Sequence, residues 1–282
     1  MRSIRRSAAD LGFWALCSLG LMMIVGPAVW IVVGLLRSAL PLISFRLLAQ
    51  DTAHLGLQNA IVGTLVLGLG VLVIAGPVGV GAGIYLSEFA GRRLASVARF
   101  FPEILAGVPS IVVGYAAYVL LVVRFHWGYS LLAAILALSA LVTPYVVKST
   151  EVALRQLPTS LRDGARALGL PTVTTLRRVL LPPALPGIVN GMVVALAIST
   201  GETAPLLYTA GFSDANPTPS LLHHPVGYLT YVVYTDIQLP SARMHQLANA
   251  AADVTLLVLL ALILVGRLLG YHSARRAARM SL

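Results

Sequence analysis

The chain lacks most of what a soluble enzyme uses. Its single cysteine, Cys17, rules out any disulfide within one chain. Lysine occurs once, as Lys148, and follows Val147 instead of the glycine that precedes a phosphate-binding P-loop lysine. No ATP-hydrolysing motif is therefore expected. HExxH and GxSxG strings are missing as well. The six histidines (His54, His126, His223, His224, His245 and His272) show no metal-ligand spacing beyond the adjacent His223-His224. No catalytic residue, metal ligand or cofactor is expected of this chain. Charged residues make up 11% of the total, where soluble domains carry about 25%. With a mean hydropathy of +0.87, that shortage excludes an ordinary soluble domain.

What the chain has instead is apolar length. Six runs approach or exceed the roughly 20 residues needed to cross a bilayer: Phe13–Leu36, Leu57–Leu86, Ile104–Val123, Tyr129–Val147, Leu185–Leu207 and Leu247–Leu269. The first follows Arg2, Arg5 and Arg6, as a secretion signal would. Its 24 residues exceed the about 7–15 of a cleavable signal core, so it is expected to be a retained span. In the sixth, Asp253 is expected at or just inside an interface, because only Val254–Gly266 is free of charge. Cys17 is expected to be a small buried hydrophobe.

The net charge of +10 could suggest nucleic acid, but its distribution follows membrane topology. Six spans put both termini on one side. That side collects sixteen Arg and Lys residues, and the other holds Arg37, Arg46, Arg124 and Arg243. The asymmetry predicts cytoplasmic termini, with membrane lipid and not nucleic acid as the surrounding partner. The second run is dense in glycine; Gly79 and Gly83, one helical turn apart, make a face for close helix packing. Gly76-Pro77 is expected to kink it. The outer loop Thr209–Gln246 carries Tyr228, Tyr231 and Tyr234 at three-residue spacing. That spacing suits either an aromatic helix at the headgroups or a docking surface.

Between the fourth and fifth runs lies a short basic amphipathic segment. Thr159-Ser160 are placed to cap a helix, with Asp163 as a shortened capping box. Leu161, Ala165 and Leu168 form one stripe, while Arg162 and Arg166 stand on another face. Gly169 supplies a left-handed cap and Pro171 stops the helix. About two turns of helix are unstable alone. Gly164 and Ala165 are small, and no Trp or Phe is present to enter lipid, so a groove on a soluble partner suits the segment better than the membrane surface. In the fifth run Glu202 needs a reason, because a carboxylate inside a span is costly. It is expected to snorkel or to line a pathway. Pro205 is expected to break the helix near Gly201, where freed backbone faces a cavity.

The spacing Asp163-Gly164-Ala165, three residues, Gly169, nine residues, Val179, one residue, Leu181-Pro182 resembles the EAA loop of binding-protein-dependent ABC importer permeases. It departs from that loop with Asp for Glu, Gly for Ala and Val for Ile. GETAPLL at Gly201–Leu207, LAGVPSIVVG at Leu105–Gly114 and GIYLSEFA at Gly83–Ala90 resemble the phosphate permeases of the PstA type. The resemblance implies an all-α integral membrane protein with six transmembrane helices and the type I ABC importer permease (MetI-like) fold. A cytoplasmic coupling helix would lie between spans four and five. It also implies residues 1–56 as an N-terminal segment with the first span and outer loop, 57–269 as the importer transmembrane domain, and 270–282 as a basic cytoplasmic tail. By the same resemblance Leu161, Asp163, Gly164, Ala165, Leu168 and Gly169 would couple to the ATPase. Ser199, Thr200, Gly201, Glu202, Thr203 and Pro205 would border the translocation path, with hydroxyls of Ser199, Thr200 and Thr203 as donors to phosphate. Where that subfamily commonly carries Arg three positions before the GETAP glycine, this chain has Ile198.

The implied partners are a PstC-like second permease, a dimeric PstB-like cytoplasmic ATPase and an extracytoplasmic PstS-like phosphate-binding protein. The implied location is a bacterial or archaeal cytoplasmic membrane. Sulfate or molybdate in place of phosphate is the nearest alternative. An ion-coupled secondary transporter and a membrane-embedded enzyme are the rivals from other classes.

Overall fold

The computed structural model describes residues 2–39 and 44–280. Met1 of the N-terminal segment and the last two residues of the basic tail lie outside them. The described residues form helices and no strand, as apolar segments in lipid require. A bilayer core offers no water to backbone N–H and C=O groups, so each span must satisfy them internally.

Helix α1 (Arg2–Ala39) is apolar from Leu11 to Leu36 and largely exposed over that stretch, with Trp14, Met22 and Trp30 uncovered. Cys17 is exposed too, not buried as the sequence suggested, because α1 stands outside the bundle. A short α2 (Phe45–Ala49), capped by Ser44, leads into α3 (Gln58–Ile84), which continues as a π-helical turn over Tyr85–Phe89. Helix α3 runs unbroken through Pro77. Next come α4 (Arg92–Gly107) and α5 (Ser110–Ala117), the latter prolonged by a π-helical stretch over Tyr118–Arg124. Helix α6 (Leu131–Arg155) starts at Ser130, whose hydroxyl accepts from the Ala133 N–H. Beyond it are α7 (Thr159–Ala167), α8 (Thr172–Thr174) with a wide turn over Thr175–Leu180, α9 (Leu181–Gly201), α10 (Ala204–Thr209), α11 (Leu229–Asp236) and α12 (Ala242–Met280).

Glycines fix the directions of the central helices. In α3, Gly79 abuts Val146 and Gly83 abuts Thr150 of α6, so these two helices run parallel. Helix α9 runs antiparallel to α6, with Gly187 against Ala153 and Gly191 against Ser149. Helix α12 runs antiparallel to α9, with Gly266 on Val193. Because α3 and α6 are parallel, the chain between them must recross the bundle. It does so through α4 and α5, whose segments Val97–Leu105 and Ser110–Arg124 meet at 96°. The third run, expected as one span over Ile104–Val123, is thus bent at Val108-Pro109. Proline there cannot donate and holds its predecessor out of the helical region; Val108 has ψ 129. Among the described residues five helices are long and apolar enough to cross a membrane, and counting the bent pair as one span gives six.

The main core joins α3, α6, α9 and α10 through Leu67, Val71, Leu138, Val142, Ala195 and Leu206. A second cluster packs α11 and α12 on the start of α3 through Leu57, Leu229, Leu247 and Ala251. Tyr228 is fully buried, and Tyr231 stacks on Phe212 with ring centroids 4.2 Å apart. Of the three spaced tyrosines only Tyr234 stays exposed, so α11 is packed onto the bundle and does not stand free of it. Asp253 lies eleven residues into α12, about 16 Å along the helix, at 5% exposure.

A side chain at Gly83 would place Cβ 2.5 Å from Thr150 Cβ and 2.7 Å from the Val147 carbonyl, while Gly81 faces open space. Gly83→Ala should therefore lower stability in detergent by about 1–3 kcal/mol, the usual cost of overpacking. Gly81→Ala should leave the unfolding temperature unchanged, and thermal unfolding of the two variants checks the pair.

Candidate functional site: an exposed amphipathic helix and two interrupted spans

Helix α7 ends as the sequence predicts. Gly169 adopts φ +67. The Gly169 N–H donates to Arg166 O at 2.9 Å and the Leu170 N–H to Ala165 O at 3.0 Å, the paired bonds of a Schellman cap. Its start differs from expectation. Pro158 is the N-cap residue, and no side chain caps the helix, so Thr159 and Ser160 lie inside the first turn. The expected stripe is also divided. Ala165 is buried at 4% exposure, whereas Leu168 is 79% exposed and Leu161, Asp163, Gly164 and Gly169 are exposed with it. Ala165 thus anchors α7 to its own chain, and Leu168 is left presenting an apolar side chain to the outside.

Arg162 holds this helix in place. Its Nε and Nη2 donate to the two carboxylate oxygens of Glu88, at 3.1 and 2.7 Å. Nη2 also donates to the Leu154 carbonyl at 2.8 Å and Nη1 to the Leu157 carbonyl at 3.4 Å. The hydrogen bond to Glu88 outweighs partial burial and raises the guanidinium above its ordinary value. Glu88 is set by the π-helical turn that ends the GIYLSEFA string and accepts a further bond from Ser87 at 2.7 Å. At the same end of the bundle, buried Glu151 of α6 binds Arg99 of α4 at 2.6 Å and Arg155 at 3.1 Å, and Lys148 meets Glu103 at 3.4 Å. Sequence reading missed these pairs; Glu88 and Arg162 are 74 positions apart.

The second feature is a break in the fifth run. Helix α9 stops at Gly201, Glu202 is extended with ψ 135, and α10 restarts at Ala204 with Pro205 in its first turn. The expected interruption near Gly201 is present. Proline stands where a helix start needs no N–H. The freed carbonyl of Glu202 accepts from Thr230 Oγ at 3.0 Å. Helix α5, which follows the bend of the third run, lies on α10 just past this break: a Cβ on Gly114 would stand 2.5 Å from Pro205 Cα. The LAGVPSIVVG and GETAPLL strings therefore meet in space.

The candidate path residues divide. Ser199 and Thr200 are buried, and their hydroxyls donate to the Leu196 carbonyl at 2.9 and 2.8 Å. In this arrangement they serve their own helix and are not free for an anion. Gly201 and Thr203 line an open and mainly apolar groove of about 710 Å³ between α1, α11 and α12, together with Thr230, Thr255, Ile31, Leu35, Val233 and Leu256. The Glu202 side chain is half-buried, and among the described residues it forms no ion pair. Ile198 packs against the main core. Asp253 is buried with both carboxylate oxygens unpartnered among the described residues. The same residues hold no cluster of three His, Cys, Asp or Glu.

A helical bundle with bent spans and an outward-facing amphipathic helix at one end defines a multi-pass membrane protein. Residues 79–279 match the family described as binding-protein-dependent transport system inner membrane component, and the chain belongs to that family. It is similar to the phosphate transport system permease protein PstA 2 of Mycobacterium tuberculosis, with 48% identity over 96% of this chain and 91% of that relative. The probable phosphate transport system permease protein PstA of Methanocaldococcus jannaschii is 35% identical over 86% of each chain. Among solved structures, a chain of the inward-facing MetNI methionine ABC transporter matches at TM-score 0.59 and 23% identity. That match covers 83% of this chain and 99% of the other, and it shares the fold. Family membership places the chain among ABC transporter components, as a membrane subunit and not the ATPase.

Thr230→Val removes the hydroxyl that satisfies the Glu202 carbonyl at the break. The orphaned carbonyl should cost about 1–3 kcal/mol, read as a lower unfolding temperature in detergent. Thr230→Ser should keep the wild-type value.

Proposed function

We propose that the chain is the permease subunit of an ATP-driven importer that carries inorganic phosphate across the cytoplasmic membrane of a bacterium or archaeon. The observation that carries this reading is the near full-length likeness to PstA permeases, 48% identical over 96% of the chain. Both termini and α7 face the cytoplasm, in keeping with the excess of arginine at that end. The chain works with a second, PstC-like permease, a dimeric PstB-like ATPase and a PstS-like phosphate-binding protein on the outer side.

Leu161, Asp163, Gly164, Leu168 and Gly169 enter a groove on the ATPase, and Ala165 supports them from below. Closure of the ATPase dimer on ATP pushes α7 and reorients the spans between outward and inward access. Phosphate passes the break at Gly201–Pro205. Gly201 and Thr203 face the groove there, and the interrupted backbone is sheltered by α5 and α11. Glu202 repels an anion, so it pairs with a cation of the second permease and does not bind phosphate. With Ile198 in the core, the cations that compensate the passing charge come from that neighbour. Ser199 and Thr200 become donors only if the end of α9 unwinds and releases their bonds to Leu196.

Asp163→Arg and Gly169→Pro should each abolish phosphate uptake and loosen the ATPase while leaving the protein in the membrane. Proline cannot adopt the positive φ of Gly169. Wild-type uptake by both variants would end the docking role. In proteoliposomes holding the whole complex, unlabelled phosphate should suppress labelled uptake and equimolar sulfate should not. The reverse result would assign another oxyanion.

A further inference from the structure

Helix α7 is joined covalently to α6 through Gln156–Pro158 and to α8 and α9 through Leu168–Pro171, but its strongest non-covalent tie goes elsewhere. Arg162 makes two parallel bonds to Glu88, at the foot of α3. The two side chains are 19% and 11% exposed. A paired guanidinium and carboxylate in that setting is directional, and removing one partner strands the other charge. By contrast Asp163 and Arg166 on the outer face are 4.0 Å apart and mostly exposed, a pair of negligible strength.

Glu88 stands at the end of a continuous rod. From Gly68 to Glu88 is twenty residues of helix, about 30 Å. At the far end a Cβ on Gly68 would lie 3.0 Å from Leu196 Cδ1 and 4.0 Å from Thr200 Oγ. Leu196 and Thr200 belong to the last turns of α9 before the break, and the Leu196 carbonyl holds both hydroxyls of that segment. One turn earlier on α3, Thr64 Oγ accepts the Leu229 N–H of α11 at 3.0 Å. The rod is also locked to α6, since Gly83 leaves no clearance from Thr150.

We propose that Glu88 and Arg162 are positioning residues that pin α7 to α3, so that a push on α7 travels along α3 to the end of α9 at the break. The proposal rests on the docking role of α7 given above. Without the pin, α7 loads only the helices it is covalently joined to. Docking and ATP hydrolysis persist, and transport per hydrolysis falls.

The test uses the full complex with its binding protein in liposomes, measuring phosphate uptake and ATP hydrolysis together. Glu88→Gln and Arg162→Gln should assemble with ATPase in wild-type stoichiometry yet move roughly tenfold fewer phosphate ions per ATP. The exchanged pair Glu88→Arg with Arg162→Glu should recover most of that ratio, and Arg162→Lys should fall between, because lysine keeps the charge and loses the fork. A wild-type ratio in Glu88→Gln, or an exchanged pair no better than the single variants, would overturn the pin. Crosslinking of wild-type α7 to the ATPase separates the two ideas. If it crosslinks and Glu88→Gln is fully coupled, the pin alone is wrong. If wild-type α7 never meets the ATPase, the docking role falls and the pin with it.

Discussion

Peptide groups in hydrocarbon have nowhere to turn but to the protein itself, and that constraint shapes every part of this molecule. It makes each span a helix and confines every interruption to places where other helices shield it. The bend at Val108-Pro109 and the break at Glu202-Thr203 answer to this rule together. Gly114 has no Cβ, so α5 can lie directly on Pro205, and Thr230 supplies the hydrogen bond that the Glu202 carbonyl would otherwise lack. The break is thus covered by a regular helix on one side and satisfied by a hydroxyl on the other.

A second division runs along the bundle. The end that carries α7 is tied by charge, through Glu88 with Arg162 and through Glu151 with Arg99 and Arg155. The middle is tied by small residues and close backbone contact, as between α3, α6 and α9. Ion pairs break and re-form with a change of geometry, while glycine contacts against backbone tolerate little sliding. The charged end is therefore suited to receiving movement and the glycine-packed middle to passing it on intact.

Much of this was legible from residue order. Apolar length alone located the spans, because a bilayer imposes a minimum run on any helix. Gly169 announced the end of α7, since a left-handed cap selects glycine, and Gly201 with Pro205 marked the break. The bend in the third run was harder to see. An apolar composition suits a continuous span as well as an amphipathic helix followed by an apolar one, and only Pro109 hinted at the turn. Hydrogen-bond partners were out of reach: which carboxylate meets Arg162, or that Ser199 and Thr200 turn back on Leu196, depends on packing between distant segments. The burial of Asp253 was out of reach too, because it depends on which helices close over α12.

Helix α1 packs chiefly on α12, the last helix of the chain. A ribosome adding about 5–20 residues per second needs on the order of ten to forty seconds to make everything between them. Throughout that interval α1 lacks the helix it packs on and is held by its own apolar surface from Leu11 to Leu36. That length therefore serves the nascent chain as much as the finished transporter.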